Sequence, residues 1–393
     1  MSYATDYNNN YRLLSMTINA APIPFLKELF QTLFARISDG KLWCNSASKK
    51  NLHFYSRGMW AMADGITAIL NKRGKKRGLV WLPDYFCNEA LIPLRLKGIR
   101  LFFYPIGKNL SPDWDRIKSE ANRQCPPDIF ILVHYFGFPN SFDEAIIFCD
   151  NYGAELLEDA AHLLLPVNGC GQHTTVFSPR KLLPLPEVGL LVISDSISVK
   201  QTEESFVSNK IPILKWLAIR LAQRMMLTMG ISWHRFRKTF CENLNSCNVD
   251  KMNKNIKKFP DRYSLKLLAV MEKNIKQVVE KRRENYIRLL RAVDGIKEVM
   301  PLFSFFPDYV CPYTFPLIVF HHRDFVIEQF RYCGVPANSW PDLPPEVLKE
   351  RGEHETAFWL QEHIILLPIH QNLSDKQVEY MVFKLKEILR KGK

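Results

Sequence analysis

The sequence predicts an α/β protein: a mostly parallel central sheet flanked by helices, with a smaller C-terminal α/β domain. Three observations carry this expectation. Short apolar runs at residues 129–133, 154–157, 174–177 and 189–193 share the chain with a helix-like segment at 141–152, the pattern of parallel strands buried on both faces. Two more apolar runs, at 79–83 and 101–104, precede them. Residues with chemistry gather at the run ends: His134, Asp159 and Lys181. Sites in such sheets lie at the carboxyl ends of strands. One Lys, one Asp and one His converging there are the parts of a Schiff-base cofactor site.

The chain of 393 residues is 47% apolar, ample for a large core and two domains. Its 53 basic and 40 acidic residues leave a net charge of +13. That excess favours anionic ligands: phosphorylated small molecules, nucleic acid or a lipid surface. No aromatic-basic RNA or DNA motif accompanies it, so nucleic acid is not expected as a partner. The nine cysteines show no CxxC pair and no regular spacing. They read as reduced thiols in a cytoplasm, and no metal is expected. The N-terminus MSYATDYNNNYR has no basic stretch followed by an apolar core, so no signal peptide is expected. No uncharged apolar run reaches the roughly 18–20 residues of a membrane span.

In chain order, residues 22–37 form an amphipathic helix candidate. Phe25, Leu26, Leu29, Phe30, Leu33 and Phe34 share a broad face, expected to pack on the main domain, with a membrane role as the lesser alternative. A helix follows Tyr55-Ser56-Arg57-Gly58-Met59 and runs to Leu70. Residues 79–83 lead as a strand into Asp84-Tyr85-Phe86-Cys87-Asn88. Ser111 and Pro112 have the form of a cap and first helical position. Residues 205–241 contain no acid but hold Lys210, Lys215, Arg220, Arg224, Arg235, Arg237 and Lys238 among apolar residues. A packed surface element is expected there, although basic amphipathic helices also lie on membranes or grip phosphates. Residues 251–258 read as a mobile basic loop. One long helix is expected from Arg262 to about Val293. Strand and loop are expected over 312–320 and 335–343, and a closing helix over 375–391. The expected division is 1–50 as an N-terminal arm and helix, 51–262 as the large domain, and 263–393 as linking helix and small domain.

Four pieces of the sequence together resemble a known family. They are Val133-His134-Tyr135-Phe136-Gly137, Glu158-Asp159-Ala160-Ala161, Phe177-Ser178-Pro179-Arg180-Lys181, and Leu366-Leu367-Pro368-Ile369-His370 with Leu373-Ser374. Their order and spacing, from about Phe54 to Leu389, resemble the DegT-type nucleotide-sugar aminotransferases. Those are fold type I enzymes dependent on pyridoxal 5′-phosphate (PLP). The resemblance implies that Lys181 is the Schiff-base lysine. Asp159 would hold the pyridine nitrogen protonated, keeping the ring an electron sink. His162, where the family has Gln, would lie by the 3′-oxygen and could titrate near neutral pH. Gly58 and Met59 would open the phosphate-binding helix, whose N-terminus is a ready anion site. Met59 replaces the family's hydroxyl residue, and Ser56 is a substitute oxygen. Tyr85 or Phe86 would stack on the ring, while Cys87 stands at the family's aromatic position. Val176 occupies the place of a phosphate-binding Ser, leaving Ser178 or Thr175 to serve. His134, Tyr135 and Trp340 would meet substrate or cofactor. Leu182 and Pro260 depart from two family asparagines, the second of which reaches a neighbouring subunit.

The resemblance therefore implies transfer of an amino group from glutamate or glutamine to a keto-sugar. That acceptor would be nucleotide-linked and serve cell-surface polysaccharide or natural-product synthesis. It also implies a cytoplasmic homodimer, and the 205–241 segment adds peripheral contact with the inner membrane face. Two other functions remain open: a PLP enzyme with a non-sugar substrate or a different reaction, and a non-catalytic regulator of the same fold. A keto-sugar dehydratase is disfavoured, since those relatives replace the lysine with His.

Overall fold

The computed structural model describes residues 16–44, 50–123, 125–167, 173–199, 210–229 and 258–391. Its larger sheet has seven strands: β1 Lys50–Tyr55, β2 Leu79–Pro83, β3 Arg100–Tyr104, β4 Ile129–Val133, β5 Glu155–Ala160, β6 Thr174–Phe177 and β7 Gly189–Ser194. They lie in the order β1-β7-β6-β5-β4-β2-β3. β3, β2, β4, β5 and β6 run parallel, as their apolar runs predict. All five residues of β4 are buried, because helices cover both faces of a parallel sheet.

β7 departs from that expectation and pairs antiparallel with β6 and β1. The reason is the connection. A parallel return needs a crossover of a dozen or more residues, usually helical. Between Phe177 and Gly189 the chain has only a short loop with one 3₁₀ turn, Pro179–Lys181. That short loop is what carries Lys181.

Helices α1 (Leu26–Phe34), α2 (Gly58–Lys72), α3 (Ile92–Leu96), α4 (Trp114–Arg123), α5 (Asp143–Tyr152) and α6 (Lys210–Thr228) belong to the first part of the chain. α4 begins later than Ser111 and Pro112 suggest. Ser111 accepts the Gly107 N–H in a tight turn, and Asp113 takes over the cap by accepting the Arg116 N–H at 3.2 Å. The long helix expected from Arg262 divides into α7 (Arg262–Glu272) and α8 (Ile275–Val293). Asn274 leaves helical geometry between them, in keeping with the preference of Asn for helix caps. The second sheet is antiparallel, β10 (Ile364–Leu367), β9 (Phe315–Val319) and β8 (Val299–Pro301) in that order. Helices α9 (Arg323–Tyr332), α10 (Pro345–Lys349), α11 (Glu355–His363) and α12 (Asp375–Lys391) accompany it. Residues 335–343 form loop, with one bridge from Asn338 to Leu366.

α1 overturns an expectation. Its polar side faces the protein, with Glu28 and Thr32 buried against α7. Its apolar face points outward: Leu26, Phe30, Leu33 and Phe34 are 60%, 63%, 60% and 77% exposed. Local bonds set this orientation. Glu28 accepts the Phe25 N–H at 2.6 Å, and Thr32 donates to the Glu28 carbonyl at 2.7 Å. α6 lies alongside, where Arg224 covers the Phe25 ring and donates to the carbonyls of Ile23 and Pro24. α6 is a helix over much of the basic segment, with Leu214 and Met225 exposed. The rest of residues 205–241, and residues 251–257, lie outside the described residues. Among the described residues no helix is long and apolar enough to cross a membrane.

Candidate active site

A cavity of about 290 Å³ opens where β2, β4, β5 and β6 end. Each strand delivers a different part of its wall. Phe86 and Cys87 follow β2, and Val133 and His134 end β4. Asp159, Ala161 and His162 come from β5 and the turn after it. Val176, Ser178, Arg180 and Lys181 come from β6 and its loop. Arg57, Gly58, Met59 and Met62 bring in the start of α2, and Trp340 closes the wall from the loop after α9.

The topology thus brings Lys181 and Asp159 into one cavity from adjacent strands. Asp159 lies within β5 itself, and its Oδ1 accepts the Ala161 N–H at 3.0 Å. Its other oxygen makes no hydrogen bond among the described residues. Burial pushes the Asp159 carboxyl above the usual range, and the positive field of Lys181 opposes that rise. Burial pulls the Lys181 ammonium below its ordinary value, with Asp159 again opposing. The two act on each other through the field and form no direct ion pair. A buried lysine of lowered proton affinity is a ready nucleophile.

His162 is buried in an aromatic box. It stacks on Phe136 at 5.7 Å and Tyr313 at 4.8 Å, with Trp340 edge-on at 5.4 Å. Its Nδ1 accepts the Phe136 N–H at 3.2 Å, so Nε2 carries the proton. Burial, then the Lys181 charge, hold it well below its ordinary value. The expectation that His162 titrates near neutral pH is therefore corrected: it is a fixed neutral donor. His134 is also fully buried, and its Nδ1 accepts the Asn140 N–H at 3.0 Å.

Four expected residues do not reach the wall. Tyr85 is buried in the core and donates to the Trp340 carbonyl. Tyr135 donates to the Tyr85 carbonyl at 2.8 Å. Both rings pack beneath Trp340 at 5.4 and 6.2 Å. Phe86 and Cys87 face the cavity instead. Ser56 is buried behind Arg57, its backbone tied to Lys258 and Val188. Thr175 is likewise buried and outside the wall.

Backbone approach shapes the floor. A Cβ on Gly189 would meet Gly58 N at 2.6 Å and the Arg57 carbonyl at 2.7 Å, so only glycine lets β7 pass beneath the α2 N-terminus. Arg282 on α8, 1% exposed, fixes the loop beyond Lys181. It donates to the carbonyls of Leu182 at 2.8 Å, Tyr313 at 2.9 Å and Pro312 at 3.3 Å, and to Gln371 at 3.0 Å.

Sequence reasoning passed over Arg57, Arg180 and Glu89 in this wall. Arg180 had a signal: a second cation beside Lys181 in an otherwise apolar loop. Arg57 had none, since an Arg before a helix is ordinary. No group of three or more His, Cys, Asp or Glu among the described residues could hold a metal ion.

The wall instead fits a pyridine aldehyde phosphate. It offers a primary amine, a carboxylate with a free oxygen, a fixed N–H donor at His162, and a helix N-terminus beside a hydroxyl. A Cβ placed on Gly58 would lie 3.7 Å from Ser178 Oγ, so glycine leaves that corner open.

No protein-family model matches the sequence, and no curated protein matches it. Solved structures match the fold over nearly the whole chain. That fold is the one shared by aminotransferases of the DegT/DnrJ/EryC1/StrS type. The aminotransferase TlmJ from Streptoalloteichus hindustanus is 17% identical with a TM-score of 0.66, covering 96% of this chain and 99% of its own. The sugar aminotransferase CalS13 from Micromonospora echinospora is 15% identical with a TM-score of 0.64, covering 94% and 100%. The 3-amino-5-hydroxybenzoic acid synthase is 14% identical with a TM-score of 0.60, covering 86% of each chain.

Proposed function

We propose that the protein is a PLP-dependent aminotransferase. It passes an amino group from glutamate or glutamine to a nucleotide-linked keto-sugar, for cell-surface polysaccharide or natural-product synthesis. The carrying observation is Lys181 and Asp159 sharing one cavity at the ends of adjacent parallel strands.

Bound there, PLP supplies an electron sink for moving a proton between two carbons. Lys181 provides the amine that holds the cofactor and shuttles that proton. Burial lowers its proton affinity, which favours the free amine over the ammonium. Asp159 would hold the ring nitrogen, and a positive nitrogen there would favour the ionised carboxylate, as the Lys181 field also does against burial. His162 Nε2–H would donate to the 3′-oxygen without changing its own charge. Gly58, Met59 and Ser178 would hold the phosphate, Phe86 and Cys87 would lie against the ring, and His134 and Trp340 would border the substrate.

In this reading the enzyme is a cytoplasmic homodimer. The outward apolar face of α1 supports a second copy as its cover, since large exposed apolar patches mark interaction sites. The basic helix α6 beside it makes an anionic lipid surface the competing occupant. Light scattering and co-sedimentation with anionic liposomes at low salt separate the two, because surface attraction is least screened there.

The test is purified protein with PLP, glutamate or glutamine, and a panel of nucleotide-linked keto-sugars, followed by mass spectrometry. Amination of a panel member is the expected result. The shared fold of 3-amino-5-hydroxybenzoic acid synthase favours one second reading, amination of a non-sugar ketone. Turnover of cyclic non-sugar ketones alone would select it.

A further inference from the structure

Two guanidiniums in the cavity form no ion pair among the described residues, although the Glu89 carboxylate shares the wall and its field reaches Arg180. They are Arg57 and Arg180, and neither makes a side-chain hydrogen bond among the described residues. The Nε of Arg180 is buried without an acceptor. Burial and the nearby Arg57 charge pull Arg180 down to about 10, so the two guanidiniums oppose each other. Unpaired like charges in an enclosed space are destabilising, and an anion between them reverses the sign.

Their place in the fold says which anion. Arg57 immediately precedes Gly58, the first residue of α2, where backbone N–H groups and the helix dipole already favour negative charge. Opposite Gly58 stand Ser178 and Val176, whose atoms lie 3.5 to 3.7 Å from a Cβ built there. Arg180 follows Ser178 by two residues. Among the described residues Ser178 is the only side-chain hydroxyl in the cavity wall, and its neighbours Met59 and Val176 are apolar. A dianion held at that corner needs donors the wall lacks unless guanidiniums supply them. Arginine suits this, because its planar fork matches phosphate oxygens.

We propose that Arg57 and Arg180 clamp the phosphoryl group of the cofactor at the α2 N-terminus. This inference rests on the PLP reading above. The same guanidinium chemistry could instead take the carboxylate of the amino donor or the diphosphate of a nucleotide-linked acceptor. The experiment therefore compares PLP with pyridoxal, which keeps the ring and aldehyde and lacks the phosphate. Both are titrated by their visible absorption into apo wild type, Arg57→Gln and Arg180→Gln, with circular dichroism confirming the fold. Each variant should lose ~10-fold or more in PLP affinity, as expected for a charged hydrogen bond. Pyridoxal affinity should not change. Arg180→Lys should recover part of the loss, since it restores the charge without the fork. Equal weakening of both ligands would overturn the clamp. So would unchanged PLP affinity with weakened saturation by amino donor or nucleotide-sugar. Wild type that binds neither ligand would instead overturn the cofactor reading itself.

Discussion

Replacing Lys181 with Ala separates chemistry from stability, and the two effects have opposite signs. Among the described residues lining the cavity Lys181 is the one lysine, so no described amine beside it takes over. The lost group both holds the cofactor and moves the proton. General acid–base transfer alone contributes ~10²–10⁴-fold, so turnover should fall by at least that much. Stability should not fall. Lys181 makes no ion pair among the described residues, and burial lowers its proton affinity below the ordinary 10.5. The unfolded chain therefore binds more protons than the folded one as pH rises from the lowered value toward 10.5. Lys181 should add to stability as pH climbs through that alkaline window in wild type, and its share of the climb should be missing in the variant. Below the window the wild type carries the full penalty of a buried charge, so apo Lys181→Ala should melt no lower than apo wild type. The assays are turnover with glutamate, thermal melts across the alkaline range, and borohydride reduction with peptide mapping. A pyridoxyl group on any other lysine, or a variant that melts lower at every pH, would refute the reasoning.

Other outcomes follow from single contacts. His162→Gln should leave the neutral-range pH dependence of the bound cofactor's absorption unchanged, because burial keeps His162 neutral there; a wild-type transition that disappears in the variant would place a titrating His162 at the cofactor. Gly137→Ala should destabilise by roughly 2–5 kcal/mol by denaturant titration, the sum of left-handed strain and overpacking. Gly137 has φ +95°, and a Cβ would lie 2.7 Å from Tyr313 N, beside the Cys311 carbonyl. His370 is buried, donates to the Asn19 carbonyl at 2.9 Å and is pulled from 6.5 to about 3. At 1.36 kcal/mol per pH unit, wild type should lose up to ~5 kcal/mol as pH falls through that window. His370→Gln should lose less over the same range, read from acid melts.

Much of this molecule was legible in its sequence. Strand existence was, because a buried strand needs only a short apolar run, and 129–133 or 174–177 supplies that locally. The chemistry at the strand ends was also legible. An Asp within an apolar run at 159 and a Lys inside the apolar loop at 181 are costly unless they face a cavity. The direction of β7 was recoverable in principle, since eleven residues with no helix leave no room for a crossover.

Other features belonged to the tertiary structure. Amphipathicity shows that α1 has an apolar face but not which way it turns. The buried Glu28 and Thr32 decided that by bonding to their own helix and lying against α7, some 230 residues away. The ionisation of His162 depends on Tyr313 and Trp340, and the choice of Phe86 and Cys87 over Tyr85 depends on Trp340 packing above Tyr85. The meeting of Arg57 with Arg180 required β7 to pass under α2 at Gly189. Periodicity and residue type are local and survive in the linear chain. The field and solvation around a charged group are sums over neighbours that only folding brings together.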